Sequence, residues 1–478
     1  MATSRAVIGN ALSQILGKFL TIMTTFVTVK IITGMGTQFY GQYTAAYEFL
    51  AFFGILADAG LFVIAVREMS RGGATIKQQE KIFHNILSVR LLMIVLVVLL
   101  ARLSAQVFPG MSPIVRMGVW ITSLSMGLTI LAGTLSAPLQ SNMKIQYHSL
   151  AGVLGKLLFM GLVVFIARSE NLFGVMPFYE LLWAGVFGNL LLAGLTMYFT
   201  SRVIRIALAW DFAWIKKTLK QALPYGLALV LQTLYLRVDI LIILWLLGEY
   251  AVGLYGVGAR ILESMLVLGI FFGRAILPKL SKEEGSDDKN SQTLGWGILV
   301  LLFIALPLVI GGAAYSDDIV LLLSSPEFLW PMRGFASSGQ ILTILLLTII
   351  PAYLNQLFTF SLIAKNRQNL LLFVNGAALA LNAGLNIYLL PRYGLLSAAW
   401  ATVVSELLVL ILLGILLRKY YQIQMKHTPL ILVFLANITL FLLYFLTPIG
   451  NNLVLGIIFG GLVYGLLIIL IYKQLLPR

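Results

Sequence analysis

Residues 453–472 read LVLGIIFGGLVYGLLIILIY, twenty consecutive positions without a charge. A helix crossing the hydrocarbon core of a bilayer needs about 20 mainly apolar residues, so this stretch reads as a membrane span. Working outward, 429–447 pairs with it, and twelve more segments of similar character precede them. The first six lie near 7–29, 39–66, 85–107, 113–137, 147–167 and 178–200, and the next six near 221–247, 251–277, 293–314, 338–364, 368–390 and 394–417. Of the 478 residues 60% are hydrophobic and 11% charged, more apolar surface than one water-soluble core can hide. Ten-residue alternating strands are absent, and lipid forces each spanning segment to satisfy its backbone internally. The fold class expected is all-α integral membrane, with about 14 transmembrane helices.

Thirty-three Lys and Arg stand against 18 Asp and Glu. Nucleic acid would need basic clusters on a solvated face, whereas here the cations sit between greasy runs, so no nucleic-acid partner is expected. On the span map, 22 of the 33 fall on the side that holds both termini and 6 on the other. The positive-inside rule then places both ends in the cytoplasm of a multi-pass protein of the cell membrane. The first segment follows a single Arg5 and lacks a small-residue cleavage site, so it is expected to stay as a span. Without Cys there are neither disulfides nor thiolate sites. The longest outer loop runs only from Tyr315 to Ser337, and His84, His148 and His427 fall in inner-side loops. These features argue against an enzyme, and no cofactor is expected.

An internal repeat organises the map. GTQFYGQY at 36–43 and GEYAVGLY at 248–255 share Gly, Gly and Tyr at a constant offset of 212, which also aligns Glu48 with Arg260 and Arg67 with Lys279. Six spans is an even number, so duplication gives two parallel, pseudo-symmetric six-helix lobes with a cavity between them as the natural substrate site. The expected domains are an N-terminal lobe at 1–204, a cytoplasmic interfacial linker helix at 205–220, a C-terminal lobe at 221–420 and a final helix pair at 421–478. In the linker Ile206, Trp210 and Trp214 recur at helical spacing ahead of Lys216, Lys217 and Lys220, which suits a helix lying on an anionic leaflet; a solvated linker is the alternative.

From Ala222 the chain reads AxPYGLALVLQTLYLRVDILIILWLLGEYAVGLYGVGARILE, x being Leu223, and from Asn386 to Glu406 it reads NIYLLPRYGLLSAAWATVVSE. These stretches, with Arg237, Asp239, Gly253, Tyr255 and Arg260 in place and LPKLSK around Pro278, resemble the polysaccharide-transporter branch of the multidrug, oligosaccharidyl-lipid and polysaccharide exporter superfamily, which includes Wzx-type oligosaccharide flippases. Ser397 stands where that pattern expects Gly. The resemblance spans essentially the whole chain and implies a transporter that flips a polyprenyl-diphosphate-linked oligosaccharide by alternating access of two lobes, with H+ or Na+ coupling. It also implies membrane lipids and glycan-assembly proteins as partners of a monomer. A peptidoglycan-precursor flippase and a multidrug antiporter of the same superfamily are the alternatives.

Burying a charge in lipid costs roughly 2.5–3.5 kcal/mol on insertion scales, so ionisable groups inside spans face partners or water. A diphosphate calls for cations, and Lys18, Arg237 and Arg260 are the candidates for a cationic cavity. The competing reading is structural: Arg260 and Glu263 are three apart on one helix face, and Arg237 could pair with an acid on a neighbour. Glu48, Asp58 and Asp239 are candidates for ion coupling, or else counter-ions. Pro351 falls inside the tenth span, where it should bend the helix, and Asn355 and Gln356 just after it are candidates for the sugar path.

Overall fold

The computed structural model describes residues 2–58, 61–70, 75–168, 175–282, 287–365, 367, 369–422, 427–447 and 452–475. They are helical, without strands among the described residues. In chain order the helices are α1 (Ala2–Thr33), α2 (Thr37–Asp58), α3 (Leu61–Met69), α4 (Ile76–Val107), α5 (Pro113–Ser141), α6 (Gln146–Ala167), α7 (Val175–Ser201), α8 (Phe212–Lys282), α9 (Asp287–Ala314), α10 (Ser316–Leu323), α11 (Ser338–Leu346), α12 (Ile349–Ala364), α13 (Leu370–Tyr393), α14 (Leu395–Leu417), α15 (His427–Leu446) and α16 (Leu453–Leu475). Each segment read as a span falls on these helices. Among the described residues nine are long and apolar enough to cross a membrane, or ten if the bent pair α11 and α12 forms one span. Helix α8 covers two predicted spans, because its backbone leaves helical geometry at Gly248, with φ 80°.

Three local expectations need correction. The second predicted span, 39–66, is two helices, α2 and α3. The linker is helical only from Phe212; residues 205–211 run without helix. Helical spacing misled here because Asp211 ends that segment as a cap, its carboxylate accepting the Trp214 N–H at 3.1 Å, so Trp210 and Trp214 lie on opposite sides of a helix start. The tenth span does bend, by 42°, but between α11 and α12. Pro351 is the third residue of α12, in the first turn where a missing N–H costs nothing, so the break stands one turn before it.

The described residues divide into two compact units, Met1–Gly253 with Leu323–Ser325, and Leu254–Leu322 with Pro326–Arg478. This division follows packing, whereas the repeat follows duplication, and the two cut the chain at different places. Helix ends are fixed locally. Ser112 caps α5 by accepting the Val115 N–H, with Pro113 in the first turn, and Thr75 with Gln78 forms a capping box on α4. Such caps are worth about 1 kcal/mol each.

Within the first unit, small residues let backbones meet, as lipid-solvated helices require. A Cβ on Gly155 of α6 would stand 2.6 Å from the Gly188 carbonyl of α7, and one on Gly188 would stand 2.8 Å from the Gly155 carbonyl. The repeat motifs meet the same way. A Cβ on Gly41 would collide with the Glu249 carbonyl, and one on Gly253 would collide with the Thr37 carbonyl. Thr37 and Gly41 are the offset equivalents of Glu249 and Gly253, so the crossing is a pseudo-two-fold one in which each motif offers the same glycine to the other. Gly36 and Gly248 are also equivalent, and both hold positive φ, 107° and 80°, a conformation that glycine alone adopts freely. The Glu249 carboxylate, 5% exposed, fastens this crossing by accepting the Ser112 N–H at 2.7 Å and the Gln38 amide at 3.1 Å.

Replacing Gly41 with Ala should lower stability by about 1–3 kcal/mol, the range for overpacking. Gly133 of α5 has nothing within 4 Å of an added Cβ, so Gly133→Ala should be neutral or stabilising by about 0.5–1 kcal/mol. Thermal unfolding of both variants in one detergent checks the contrast, and equal shifts would contradict the close crossing.

Candidate functional site

The first unit holds a charge pair inside its helices. Seven residues after Gly41, two turns along α2, Glu48 projects from the buried side of the helix, and Arg237 reaches it from the first half of α8. The Arg237 Nη1 donates to the Glu48 Oε2 in a hydrogen-bonded ion pair. Glu48 is nearly sealed, its side chain 6% exposed, while Arg237 is 26% exposed. The arginine side of the pair is therefore the accessible one. On the same helix as Glu48, the rings of Tyr43 and Tyr47 sit 4.7 Å apart, both half-buried.

The other candidates fall at separate places. Lys18 on α1 is exposed. Asp239 is buried at 6% and its carboxylate accepts the N–H of Ile240 at 2.8 Å. The Asp58 side chain lies outside the described residues. Thus the structure joins Arg237 to Glu48, two residues predicted for different roles, cavity cation and coupling acid.

In the second unit Arg260 donates to Glu263 at 3.1 Å, one turn along the same helix, with both side chains partly exposed. Such a partly exposed pair contributes little stability. Asn355, predicted for the sugar path, is 5% exposed and its amide donates to the Glu406 carboxylate at 2.5 Å and the Glu406 carbonyl at 3.0 Å. Its own Oδ1 has no hydrogen-bond partner. Gln356 is half-buried beside it and Pro351 buried a turn before. Asn382 and Asn386 of α13 bond to each other at 2.9 Å along their own helix.

Sequence reasoning passed over Glu249 because it sits between two predicted spans and not inside one. Its signal was present nonetheless: an acid directly after the repeat glycine Gly248, where the first repeat has Thr37 after Gly36. Among the described residues no cluster of three or more His, Cys, Asp or Glu could hold a metal ion.

The family described as "Polysaccharide biosynthesis protein" matches residues 35–330. No curated protein matches the chain. Among solved structures, a lipid II flippase MurJ in an inward closed conformation superposes with a TM-score of 0.76 at 16% identity, covering 98% of this chain and 99% of that one. An inward-facing multidrug resistance MATE family transporter of the MOP superfamily gives 0.67 at 14% identity, covering 84% and 94%. A MOP superfamily transporter from Pyrococcus furiosus gives 0.57 at 16% identity, covering 87% and 95%. At these identities the likeness is one of fold.

A charge left in a helix bundle without its partner costs more than losing both together. Glu48→Gln and Arg237→Gln should each destabilise the protein, and the double variant should recover part of the loss, with a coupling of about 0.5–3 kcal/mol. A double-mutant cycle on thermal or denaturant unfolding measures this; strict additivity would mean the pair does not act as a unit.

Proposed function

Because the chain belongs to the polysaccharide biosynthesis protein family and has the fold of the MOP superfamily transporters, we propose that it is a flippase for a polyprenyl-diphosphate-linked oligosaccharide in the cytoplasmic membrane. The observation that carries this reading is the Arg237–Glu48 pair, a partly exposed guanidinium held by a sealed carboxylate inside a family-matched helix bundle. A diphosphate is doubly suited to a guanidinium, which offers two parallel donors to phosphate oxygens. The headgroup competes with Glu48 for Arg237, and Arg260 and Lys18 are further cations on its route. Tyr43 and Tyr47 offer the flat apolar faces against which sugar rings pack.

The same exchange supplies a coupling device. When the diphosphate takes Arg237, Glu48 loses the guanidinium that donates to it, and a carboxylate in a low-dielectric surrounding is costlier for that loss. Uptake of H+ or Na+ at Glu48 removes that cost, and its release restores the pair after the cargo leaves. Asp239 and Asp58 are alternative carriers of the coupling ion. Alternating access requires a seal that parts during each cycle, and the glycine crossing fastened by Glu249 is suited to that task. No catalytic step is involved, and the protein works as a monomer. The peptidoglycan lipid precursor is a second candidate cargo with the same diphosphate anchor, and the lipid II flippase MurJ shares this fold.

In vesicles carrying a fluorescent polyprenyl-diphosphate glycan, Arg237→Ala should reduce flipping by about tenfold or more, as loss of a charge-assisted contact worth about 1.5–3 kcal/mol implies. Arg260→Ala and Lys18→Ala should reduce it less. Unchanged rates in all three would remove the cationic route, and faster movement of a peptidoglycan precursor than of the glycan lipid would select the second cargo. The chain has no Cys, so Gln38→Cys with Glu249→Cys introduces one defined pair. Its crosslinking should stop flipping and reductant should restore it; full activity in the crosslinked protein would show that the crossing stays closed throughout.

A further inference from the structure

Residues 205–211 form a non-helical strap against the N-terminal part of α4, tied to it near both ends and between. The Arg205 N–H donates to Glu80 at 2.9 Å, and the Arg205 carbonyl lies 2.7 Å from the His84 Nε2. Farther on, the Ala209 N–H donates to Ser88 at 3.1 Å and the Asp211 N–H donates to Asn85 at 2.6 Å. Lys81 closes the end with a 3.1 Å ion pair to Asp211. The Trp214 N–H, followed by Lys81, holds the Asp211 carboxyl below the usual carboxylate range, so this tie stays charged at neutral pH.

What the strap turns away from α4 is apolar. Leu208, Trp210 and Phe212 are 59%, 50% and 77% exposed, and the Trp210 and Phe212 rings stack at 6.2 Å. Three large hydrophobics at every second position on an otherwise anchored segment are expensive to leave in water. Their position identifies the solvent that receives them. The last ties are at Asn85 and Ser88, and the exposed apolar belt of α4 begins at Leu92 and continues through Val95, Leu96 and Leu99. Four residues of helix are about 6 Å, so the strap lies one turn from the edge of the lipid-facing surface, at headgroup depth. Immediately after it, Lys216, Lys217 and Lys220 are exposed. The acids Glu80 and Asp211 are already engaged by the strap itself.

We propose that the strap and the first turns of α8 form a binding site for anionic phospholipid headgroups, with Trp210 and Phe212 inserted at the acyl boundary and the three lysines holding the phosphates. Aromatic rings settle at that boundary, and juxtamembrane lysines attract anionic lipid with a strength that salt screens. The site is separate from the Arg237–Glu48 pair and takes bulk lipid, not the transported headgroup.

The test uses the full chain, one copy per nanodisc, with spin labels near the top of the acyl chains of either phosphatidylglycerol or phosphatidylcholine. Trp210 is one of 8 tryptophans, so its signal is the difference between the wild type and Trp210→Phe. Labelled phosphatidylglycerol should quench that difference signal more than labelled phosphatidylcholine at equal mole fraction. The variant K216Q/K217Q/K220Q should keep the quenching and lose the preference. Should that variant misfold, about 1 M salt on the wild type must abolish the same preference, since the screening length falls to about 3 Å. Equal quenching by both lipids in the wild type overturns the headgroup site. A Trp210 reached by aqueous acrylamide and by neither lipid overturns the membrane docking altogether and points to a protein covering the strap.

Discussion

Hydrocarbon supplies no hydrogen bonds, and helices immersed in it gain nothing from burying one apolar side chain against another in place of lipid. What remains to hold such helices together is close backbone approach and the pairing of polar groups. The structure uses the first where Gly41 and Gly253 pass each other with no room for a Cβ. It uses the second immediately alongside, where Glu249 takes the backbone N–H that starts α5. Positive φ at Gly36 and Gly248 turns both chains into the crossing at matching positions. The neighbouring geometry, including the approach of Arg237 to Glu48 two turns along α2, depends on this crossing.

Ionisable groups inside the bundle follow the same economy of partners. Glu48 is sealed with a guanidinium reaching it, and Glu406 lies against the Asn355 amide in the second unit. A charge pair with one open member differs from a closed structural bridge. The arginine side chain is 26% exposed and its carboxylate partner 6%, and the proposed exchange rests on this asymmetry.

Much of this was legible in the sequence because lipid imposes a length and composition that periodicity need not supply. Apolar runs located the long helices, and the offset of 212 residues marked the two motifs that cross, though not that they meet. The residues that resisted reading are those whose role depends on a partner far along the chain. Glu48 and Arg237 were each recognisable as buried charges, but 189 residues separate them, and nothing local says that they meet. Glu249 looked like a loop residue because its burial comes from α2 and α5, not from its own segment. The strap failed for another reason: Ile206, Trp210 and Trp214 imitate a helical stripe, and side-chain ties to α4 hold the backbone out of helix.

Those ties also have a mechanical meaning. Seven extended residues could reach about 23 Å, enough to serve as a loose leash that absorbs movement of whatever follows. Pinned at Glu80, His84, Asn85 and Ser88, the segment has no slack to pay out. Displacement at the start of α8 therefore pulls directly on α4, and the connection behaves as a rod between the two helices.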